Sequence, residues 1–477
     1  MDEDLNILRN VTTTYPTRRK PGGIVEQDAA DWWMSAVRAM LMLRELVPEY
    51  VKRVDGIGIC GHMWGCLPMD RDGQVLQRAM IYSDTRAADY ARRLQAGFGG
   101  DYFYRETGNV LIAQNTLCKS VWLRHEQPEL YEKTYKILQA KDYLVYRLTG
   151  NLDSTDLSDA SYGALVNLKS RSYDRDFFRA LGLDPAKFPT LHTGCEIAGP
   201  LTEEAAGHLG LRAGIPVSVG GGTSACAMVG GGTAKNGDFL LELESRAWIS
   251  GQMAEPFIDP EHRVFNICTM DGEAYYASGK AMSACRSVNW AQQIFEVATP
   301  RAFDAGAANV APGSEGLVYL PYIFGERSPV MDDQAQGVFF GMTTKHRREH
   351  FLRAVLEGVA CSLSQILDVM RERHDIERMQ IIGGGAHSKF WEQIIADVCD
   401  VTLQDVSIFS DNATSLGAAA AAGVGIGLYR DLEEATMKIK DGACIDPDPS
   451  TQDAYARTKA RYAALYPALK DIMHMPK

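Results

Sequence analysis

Apolar side chains recur along the chain at two distinct spacings, and these spacings predict its secondary structure. Within residues 28–47 they fall at helical spacing, which predicts an amphipathic helix with one buried face. The side chains assigned to that face are Trp33, Val37, Met40, Leu41 and Leu46. Further helices are predicted over residues 85–94, 119–126, 141–148, 347–370 and 390–399.

Short apolar runs between these helices predict buried strands. They cover residues 54–61, 79–83, 214–222, 239–249, 264–270, 274–278, 317–322, 379–385 and 401–409. Asp271 and Gly272 separate two of these runs and predict a β-hairpin. The pattern restarts after about residue 232, so the sequence predicts an α/β chain of two domains, residues 1–232 and 233–477.

Three consecutive glycines follow a predicted strand once in each half of the chain. Gly220–Gly222 precede Thr223, and Gly383–Gly385 precede Ala386. Two such units in matched positions suggest two related α/β domains whose loop amides bind a ligand in a shared cleft. Close packing of a strand against a helix explains the same glycines without any ligand, so both interpretations stay open.

Composition and charge narrow the range of functions. The 477 residues carry 49 Lys and Arg against 61 Asp and Glu, a net charge of −12, without a basic tract. This balance argues against nucleic acid and anionic membranes as main partners. The acidic start lacks an apolar stretch, so no secretory signal is predicted, and the ten scattered cysteines predict reduced thiols in a cytoplasmic protein.

Two short motifs match patterns from other protein classes but lie in the wrong context. Gly56–Gly61 fits the G-x-G-x-x-G pattern of dinucleotide sites, yet its glycines lie inside a predicted strand and no helix follows. His346, Glu349 and His350 fit a zinc-peptidase pattern, but no third ligand can be named. Packing and surface positions explain both motifs better.

Asp84 follows a predicted strand and opens a predicted helix. One interpretation is a helix cap, because an Asp side chain accepts hydrogen bonds from the first free amides of a helix. The other is a carboxylate at a strand end that binds a hydroxyl of a sugar or polyol. The local sequence does not decide between them.

Several longer segments together form a family pattern. Gly337–Met342, followed after seven residues by His350, Phe351 and residues 354–357, is one long and specific signature. Other matching segments are Glu26–Asp28 with Trp32 and Trp33, Gly61–Gly65, Ser83–Arg86, Lys141–Tyr143 with Leu148–Gly150, Thr155–Asp156, Ser158–Ser161, Gly325–Arg327, Gly383–Ala386 and Leu416–Ala419. Over about residues 20–430 the chain resembles the FGGY carbohydrate kinase family, nearest to its xylulokinase-like members.

The resemblance implies two actin-like, or ribonuclease H-like, ATPase domains with a cleft between them. It also implies that ATP and Mg²⁺ bind, with the nucleotide on the C-terminal side and a small-molecule sugar or polyol on the N-terminal side. The resemblance also implies that the γ-phosphoryl group of ATP is transferred to a hydroxyl of the sugar or polyol. This reaction needs a base for the hydroxyl proton, donors around the phosphates and a metal to offset charge. No nucleic acid or membrane partner is implied, a homodimer is compatible with the family, and the sugar stays open.

Positions matched to the family supply the candidate site residues. The sugar side is assigned to Met63, Trp64 and Asp84. The nucleotide side is assigned to Gly383, Gly384, Gly385, Ala386 and Ser245, and no metal ligand is assigned. Xylulokinase-like members often carry histidine at the position of Trp64, so xylulose itself is not implied; the indole either stacks on a sugar or fills the pocket.

Three departures from the family pattern fall on phosphoryl transfer. Family members usually begin with a strand and a D-x-G-T turn, which this sequence is expected to lack, leaving an unpaired sheet edge. Thr223 stands at the position of the aspartate base, and a threonine hydroxyl is a poor base near neutral pH. Glu244 replaces a glycine of the second phosphate loop, residues 243–249, and adds negative charge there. A misassigned gene start would explain only the first departure.

Three functional hypotheses remain. The first is ATP-dependent phosphorylation of a pentulose or related sugar or polyol. The second is a catalytically inactive relative that binds sugar or nucleotide as a regulator or partner. The third, an unrelated α/β oxidoreductase, rests only on the misplaced glycine motif. The departures predict weak or absent kinase activity, and they predict that Thr223→Asp alone restores little, because Glu244 and the missing strand remain.

Overall fold

A computed structural model of the chain describes residues 1–98, 100–406 and 412–475. Its strands are β1 Arg18–Lys20, β2 Ile24–Gln27, β3 Cys60–Gly61, β4 Leu67–Met69, β5 Ala79–Met80, β6 Lys136–Leu138, β7 Thr155–Asp156, β8 Val166–Asn167, β9 Ser172–Tyr173, β10 Leu191–His192, β11 Ile197–Pro200, β12 Pro216–Ser218, β13 Gly221–Gly222, β14 Phe239–Leu243, β15 Ala247–Met253, β16 Phe265–Cys268, β17 Tyr275–Ala281, β18 Val318–Leu320, β19 Val338–Phe340, β20 Arg378–Ile382, β21 Thr402–Val406 and β22 Asp441–Ile445.

The helices lie between these strands, as expected for an α/β chain. They are α1 Ala29–Leu46, α2 Pro48–Val51, α3 Ala88–Phe98, α4 Gly100–Thr107, α5 Thr116–Glu126, α6 Pro128–Lys133, α7 Ala140–Thr149, α8 Leu157–Tyr162, α9 Arg175–Ala180, α10 Glu203–Leu209, α11 Thr223–Gly230, α12 Cys285–Ile294, α13 Pro300–Ala307, α14 Arg348–Arg371, α15 Lys389–Cys399, α16 Ala413–Gly425, α17 Leu432–Thr436 and α18 Gln452–Met473.

The described residues divide into two compact units, neither of which is one continuous stretch of chain. Unit 1 comprises Met1–Ala234, Met253–Tyr276 and Asn412–Ile439. Unit 2 comprises Lys235–Gln252 together with the described residues of 277–406 and 440–475. The division at residue 232 is an expectation about contiguous domains and stays a prediction.

Helix α1 confirms the predicted amphipathic helix, but its buried face is narrower than expected. The Asp28 side chain caps the helix by accepting from the Ala30 amide, and Trp32 and Trp33 are buried beneath it. Leu41 and Leu46, which were assigned to the buried face, are 42% and 47% exposed. At 3.6 residues per turn, Leu46 lies on the side of the helix away from Trp33, so the prediction was wrong for these side chains.

The strand predicted over residues 54–61 is largely absent. Only β3 pairs with β13, in parallel, and Ile57 forms one further bridge to Val217. The glycines of this segment serve close packing instead: a Cβ at Gly58 would lie 2.0 Å from the carbonyl oxygen of Ala418 in α16. The G-x-G-x-x-G match is therefore explained by a helix that approaches the backbone, as the sequence context indicated.

Unit 2 contains an extended sheet in which the strands follow the order β17-β15-β14-β20-β21-β22. Residues 239–249, predicted as one strand, form the antiparallel hairpin of β14 and β15, with Leu243 opposite Ala247. Strand β20 pairs in parallel with both β14 and β21. The last part of the predicted strand 401–409, residues 407–409, lies outside the described residues.

The remaining features agree with a folded core. The helices predicted over residues 119–126, 141–148, 347–370 and 390–399 are confirmed by α5, α7, α14 and α15. All ten cysteines are free thiols, and seven of them are buried, although Cys444 is exposed. Across the part of the chain that the structure describes, no helix is long and apolar enough to cross a membrane.

Candidate functional site

The first glycine turn, Gly220–Gly222, is closed by its own neighbours in unit 1. Gly220 has φ +74°, and a Cβ there would lie 2.0 Å from the Ile59 carbonyl oxygen. A Cβ at Gly222 would lie 2.4 Å from Cε of Met63. No side chain larger than hydrogen fits either position without rearrangement, so these glycines are required for packing.

The amides of this turn are already engaged. Gly220 donates to the Gly194 carbonyl at 2.9 Å, and Gly221 donates to the Ile59 carbonyl at 3.2 Å. Gly222 donates to Oγ of Ser158 at 3.2 Å. The suggestion that both glycine turns offer free amides to a ligand is therefore not met at the first turn.

Thr223 is the first residue of α11 and is half-buried. Among the described residues its hydroxyl has no hydrogen-bond partner, which leaves it available to a ligand. The turn before it is held through Ser158, whose hydroxyl donates to Asp156, the capping residue of α8. This buried chain of bonds fixes the position of Thr223.

Met63 and Trp64 lie beside the same turn, and both are buried. Trp64 adopts φ +63°, donates from Nε1 to the Tyr162 carbonyl at 2.6 Å, and has its ring centroid 4.5 Å from that of Tyr162. The indole thus fills the interior of unit 1, which is the second of the two alternatives for this side chain. Whether Met63 and Trp64 contact a sugar stays a prediction.

Asp84 is fully buried and holds other parts of unit 1 in place. Its Oδ2 accepts from the Val25 amide at 2.7 Å, and Arg86 approaches both of its carboxylate oxygens, at 2.7 and 3.0 Å. Arg86 also pairs with Glu26 at 2.8 Å. The geometry gives Asp84 a positioning role, and its predicted contact with a sugar hydroxyl is untested.

Lys119 is a functional candidate that sequence reasoning did not single out. Its ammonium is fully buried and donates to the carbonyls of Trp64 at 2.6 Å and Ile81 at 2.7 Å. Burial lowers the pKa of Lys119 to about 7. The side chain holds the backbone that carries Trp64. The sequence signal for it was a partial match to a second family signature around Lys119 and Trp122.

A buried charged cluster lies below the first turn. Lys141 contacts Asp156 at 3.0 Å and Asp159 at 3.9 Å, and it also pairs with Asp142. Although burial disfavours its charge, these carboxylates raise the pKa of Lys141. Burial, together with the charges of Asp156 and Asp142, raises the pKa of Asp159 well above its usual value. Three acids thus share one ammonium, and burial disfavours the charged form of Asp159 most clearly.

The second glycine turn, Gly383–Gly385, lies in unit 2 and faces the β14–β15 turn. Gly383 has φ +96°, and a Cβ at Gly385 would lie 2.4 Å from Cγ of Leu243. Gly384 is different, because it is exposed and its amide donates to Oε1 of Glu244 at 2.7 Å. A carboxylate therefore occupies the one open position of this turn.

Ser245, the other residue assigned to the nucleotide side, is exposed at the tip of the β14–β15 turn. Its carbonyl accepts from the amides of Ala284 and Arg286, each at 3.2 Å. The Glu244 carbonyl accepts from the Cys285 amide at 3.0 Å. The turn is thereby tied to the start of α12, which fixes the backbone of both residues.

Glu326 lies in a segment that matches the family, but the sequence assigned it no role. It is buried in unit 2 and accepts from the amides of Met282, at 2.7 Å, and Arg327, at 2.8 Å. Burial raises the pKa of Glu326 to about 7 despite these bonds. Its contacts are all internal, which indicates a structural role.

Comparison with known proteins identifies the family of the chain. Residues 1–230 match the N-terminal domain of the FGGY family of carbohydrate kinases, and residues 217–426 match its C-terminal domain. The chain belongs to this family of sugar kinases. It is 29% identical to the xylulose kinase of Bacillus subtilis, over 99% of this chain and 94% of that relative, and 31% identical to that of Escherichia coli, over 94% and 91%.

Solved structures agree with the sequence comparison. The xylulose kinase of Rhodospirillum rubrum is 29% identical and superimposes with a TM-score of 0.87 over 98% of this chain and 94% of that structure. The predicted α/β fold of two actin-like ATPase domains is confirmed. FGGY kinases use ATP, typically with a divalent metal, and act on small-molecule sugars. The individual site residues stay predictions.

Proposed function

We propose that this chain catalyses the ATP-dependent phosphorylation of a pentulose, or of a closely related sugar or polyol, in the manner of xylulose kinases. The observation that supports the proposal most strongly is the similarity to xylulose kinases along nearly the whole chain. A cytoplasmic location accompanies the proposal as an expectation.

The proposed roles follow the geometry of each unit. In unit 1, the Met63 side chain packs against Gly222, the residue before Thr223, and we propose that both side chains contribute to the sugar side. Asp84 and Lys119 would act indirectly. Asp84 would position Arg86, and Lys119 would position the Trp64 carbonyl. In unit 2, the Gly383–Ala386 loop would approach the nucleotide, with Ser245 beside it.

Removal of the proton from the sugar hydroxyl is the step that this chain is least equipped to assist. A neutral threonine hydroxyl accepts a hydrogen bond from the sugar and so orients it, but it does not take up the proton near pH 7. A positioned general base contributes about 10²–10⁴-fold to a rate. We therefore propose that transfer occurs slowly, with the proton passing to solvent or to the departing phosphate oxygens.

Mg²⁺ would accompany the nucleotide. Within the described residues, no group of three or more His, Cys, Asp and Glu side chains could hold a metal. Mg²⁺ is commonly bound by one or two carboxylates plus the phosphates of its substrate. We expect the ion to arrive with ATP, and its role would be to offset phosphate charge.

The test is a coupled assay of ADP release over a panel of pentuloses, aldoses and polyols. We expect sugar-dependent ADP release, strongest with a pentulose, at a turnover below about 1 per second, which is the low end of typical enzymes. A preference for a non-sugar acceptor, or ADP release that no sugar increases, would contradict the proposal.

A second candidate is a chain that binds sugar or nucleotide without transferring phosphate. Thr223 at the base position and Glu244 at the phosphate loop favour it. Binding and turnover measured on the same preparation separate the two candidates: sugar binding by calorimetry without any sugar-dependent ADP release would favour the inactive binder.

A further inference from the structure

The contact between Glu244 and Gly384 joins two loops of unit 2. Oε1 of Glu244 lies 2.7 Å from the Gly384 amide nitrogen, and both residues are exposed. This is a charge-assisted hydrogen bond, which is stronger than one between neutral groups. The carboxylate is therefore a specific partner of this amide.

The backbone around Glu244 aims the side chain at that amide. The Glu244 amide donates to the Arg246 carbonyl at 3.0 Å, and the Glu244 carbonyl accepts from Cys285 at 3.0 Å. On the opposite side, Gly383 holds the left-handed φ of +96°, which turns the loop so that the next amide is presented outward. The backbone on each side of the hydrogen bond is thus held in place.

The space around Gly384 is otherwise open. Among the described residues other than its chain neighbours, a Cβ built there would meet Oε1 of Glu244 at 3.5 Å and no other atom within 4 Å. By contrast, Cβ atoms at Gly383 and Gly385 would meet Leu243 at 2.8 and 2.4 Å. An external acceptor that reached this part of the loop would meet the Glu244 carboxylate first.

We propose that Glu244 is an internal stand-in for a nucleotide phosphate, which must be displaced before a phosphate can use the Gly384 amide. The inference rests on the proposed function, since it takes Gly383–Ala386 as the nucleotide loop. One N–H cannot donate fully to two anionic acceptors, and a carboxylate next to a phosphate adds repulsion. Glu244 thus selects against the phosphates of the nucleotide and leaves its nucleoside part unaffected.

The experiment compares adenosine, ADP and ATP binding to the full chain by calorimetry. The variants are Glu244→Gly, which removes the side chain, and Glu244→Gln, which keeps its shape without charge. Glu377→Gln is the matched control, because Glu377 is an exposed carboxylate of unit 2 outside this loop pair. Thermal unfolding checks that every variant is folded.

We expect Glu244→Gly to bind ADP and ATP about tenfold more tightly than the original chain, which corresponds to about 1.4 kcal/mol. The affinity of Glu244→Gln for ADP and ATP should lie between those of the original chain and Glu244→Gly. The affinity for adenosine should change less than about twofold in all variants. A second readout needs no nucleotide: hydrogen exchange at the Gly384 amide should speed up about tenfold in Glu244→Gly, because the amide loses its acceptor.

Three results would overturn the inference. Unchanged ADP and ATP affinities in both variants, with adenosine bound normally, would remove the phosphate role and leave the proposed function standing. An equal gain for adenosine would show that Glu244 acts on the nucleoside or on the fold. Failure of all folded variants to bind any of the three compounds would overturn the inference and the nucleotide assignment together.

Discussion

The two glycine turns have the same sequence pattern but different surroundings. In Gly220–Gly222 every amide donates to an internal acceptor, and a side chain at any of the three positions would collide with its neighbours. In Gly383–Gly385 the outer glycines are packed as tightly, but within the described part of the chain the middle one is open and meets only Glu244. One turn is a packing device and the other presents an amide.

This difference shows what a glycine triplet indicates by itself. The first turn serves function indirectly, because its tight packing fixes Met63 and Thr223. In the second turn, the Gly384 amide is exposed and donates to the Glu244 carboxylate. The packing interpretation holds at the first turn, and the ligand interpretation of the second turn stays a prediction.

The largest expected effect is on stability, and it sets the two turns directly against each other. Gly220→Ala places a Cβ 2.0 Å from the Ile59 carbonyl at a φ of +74°, and should lower the free energy of unfolding by about 3 kcal/mol. In Gly384→Ala the new Cβ lies at an ordinary contact distance of 3.5 Å from Glu244. This variant should change the free energy of unfolding by less than about 1 kcal/mol. Urea titration measures both.

Equal losses in the two variants would contradict the comparison, because they would mean that the second turn is closed as well. Gly207→Ala is a suitable reference, since it lies within a helix of unit 1 with no atom within 4 Å of its Cβ. It should be neutral or slightly stabilising.

The next effect is kinetic and tests the two turns together. Thr223→Asp supplies a carboxylate at the first turn, but we expect less than a tenfold gain in sugar-dependent ADP release, because Glu244 still opposes the phosphates. Thr223→Asp with Glu244→Gly should gain about 100-fold, within the range of a positioned base. Thr223→Asn is the matched control for shape without charge. A full gain from Thr223→Asp alone would remove Glu244 from the account.

The smallest effect concerns pH and extends the comparison to the two units. Near the first turn, burial lowers the pKa of His62 to about 4, and among the described residues its ring nitrogens have no hydrogen-bond partner. The unfolded chain takes up this proton first, so unit 1 should lose stability as pH falls from about 6.5 to 4. The depressed pKa means that this stability is fully present only above about pH 6.5.

Unit 2 should respond in the opposite direction. Burial raises the pKa of Glu326 to about 7 from 4.5, so its contribution is present below about pH 4.5 and is lost as pH rises to 7. Hydrogen exchange of each unit between pH 4 and 8 measures the two trends. His62→Phe and Glu326→Gln should flatten one trend each; parallel trends in both units would show that these groups do not control them.

Long periodic segments of the fold could be predicted from the sequence. Helices α5, α7, α14 and α15 were predicted, with a clear apolar period in α14, and the glycine positions marked both turns. Shorter elements were predicted less well. The segment 54–61 is apolar and so predicts a strand, but its glycines admit α16 against the backbone, and only two residues pair as β3.

The candidate site was predictable by position and much less by contact. Matching to a family placed Thr223, Glu244 and the Gly383 loop, but only the structure shows that Glu244 meets the Gly384 amide, since this bond joins residues 140 positions apart. Lys119 and Asp159 were missed for the same reason: burial creates their chemistry, and burial depends on tertiary packing. Asp84 was noticed, but its ion pair with Arg86 was not predicted, and its contact with a sugar hydroxyl stays a prediction.

We propose that this chain transfers phosphate from ATP to a sugar, slowly, because Thr223 stands where a base is needed. The decisive measurement is ADP release by the original chain with and without a pentulose, at saturating ATP and Mg²⁺. We expect a sugar-dependent rate below about 1 per second, the low end of typical enzymes. A folded chain whose ADP release is the same with and without every sugar tested would contradict it.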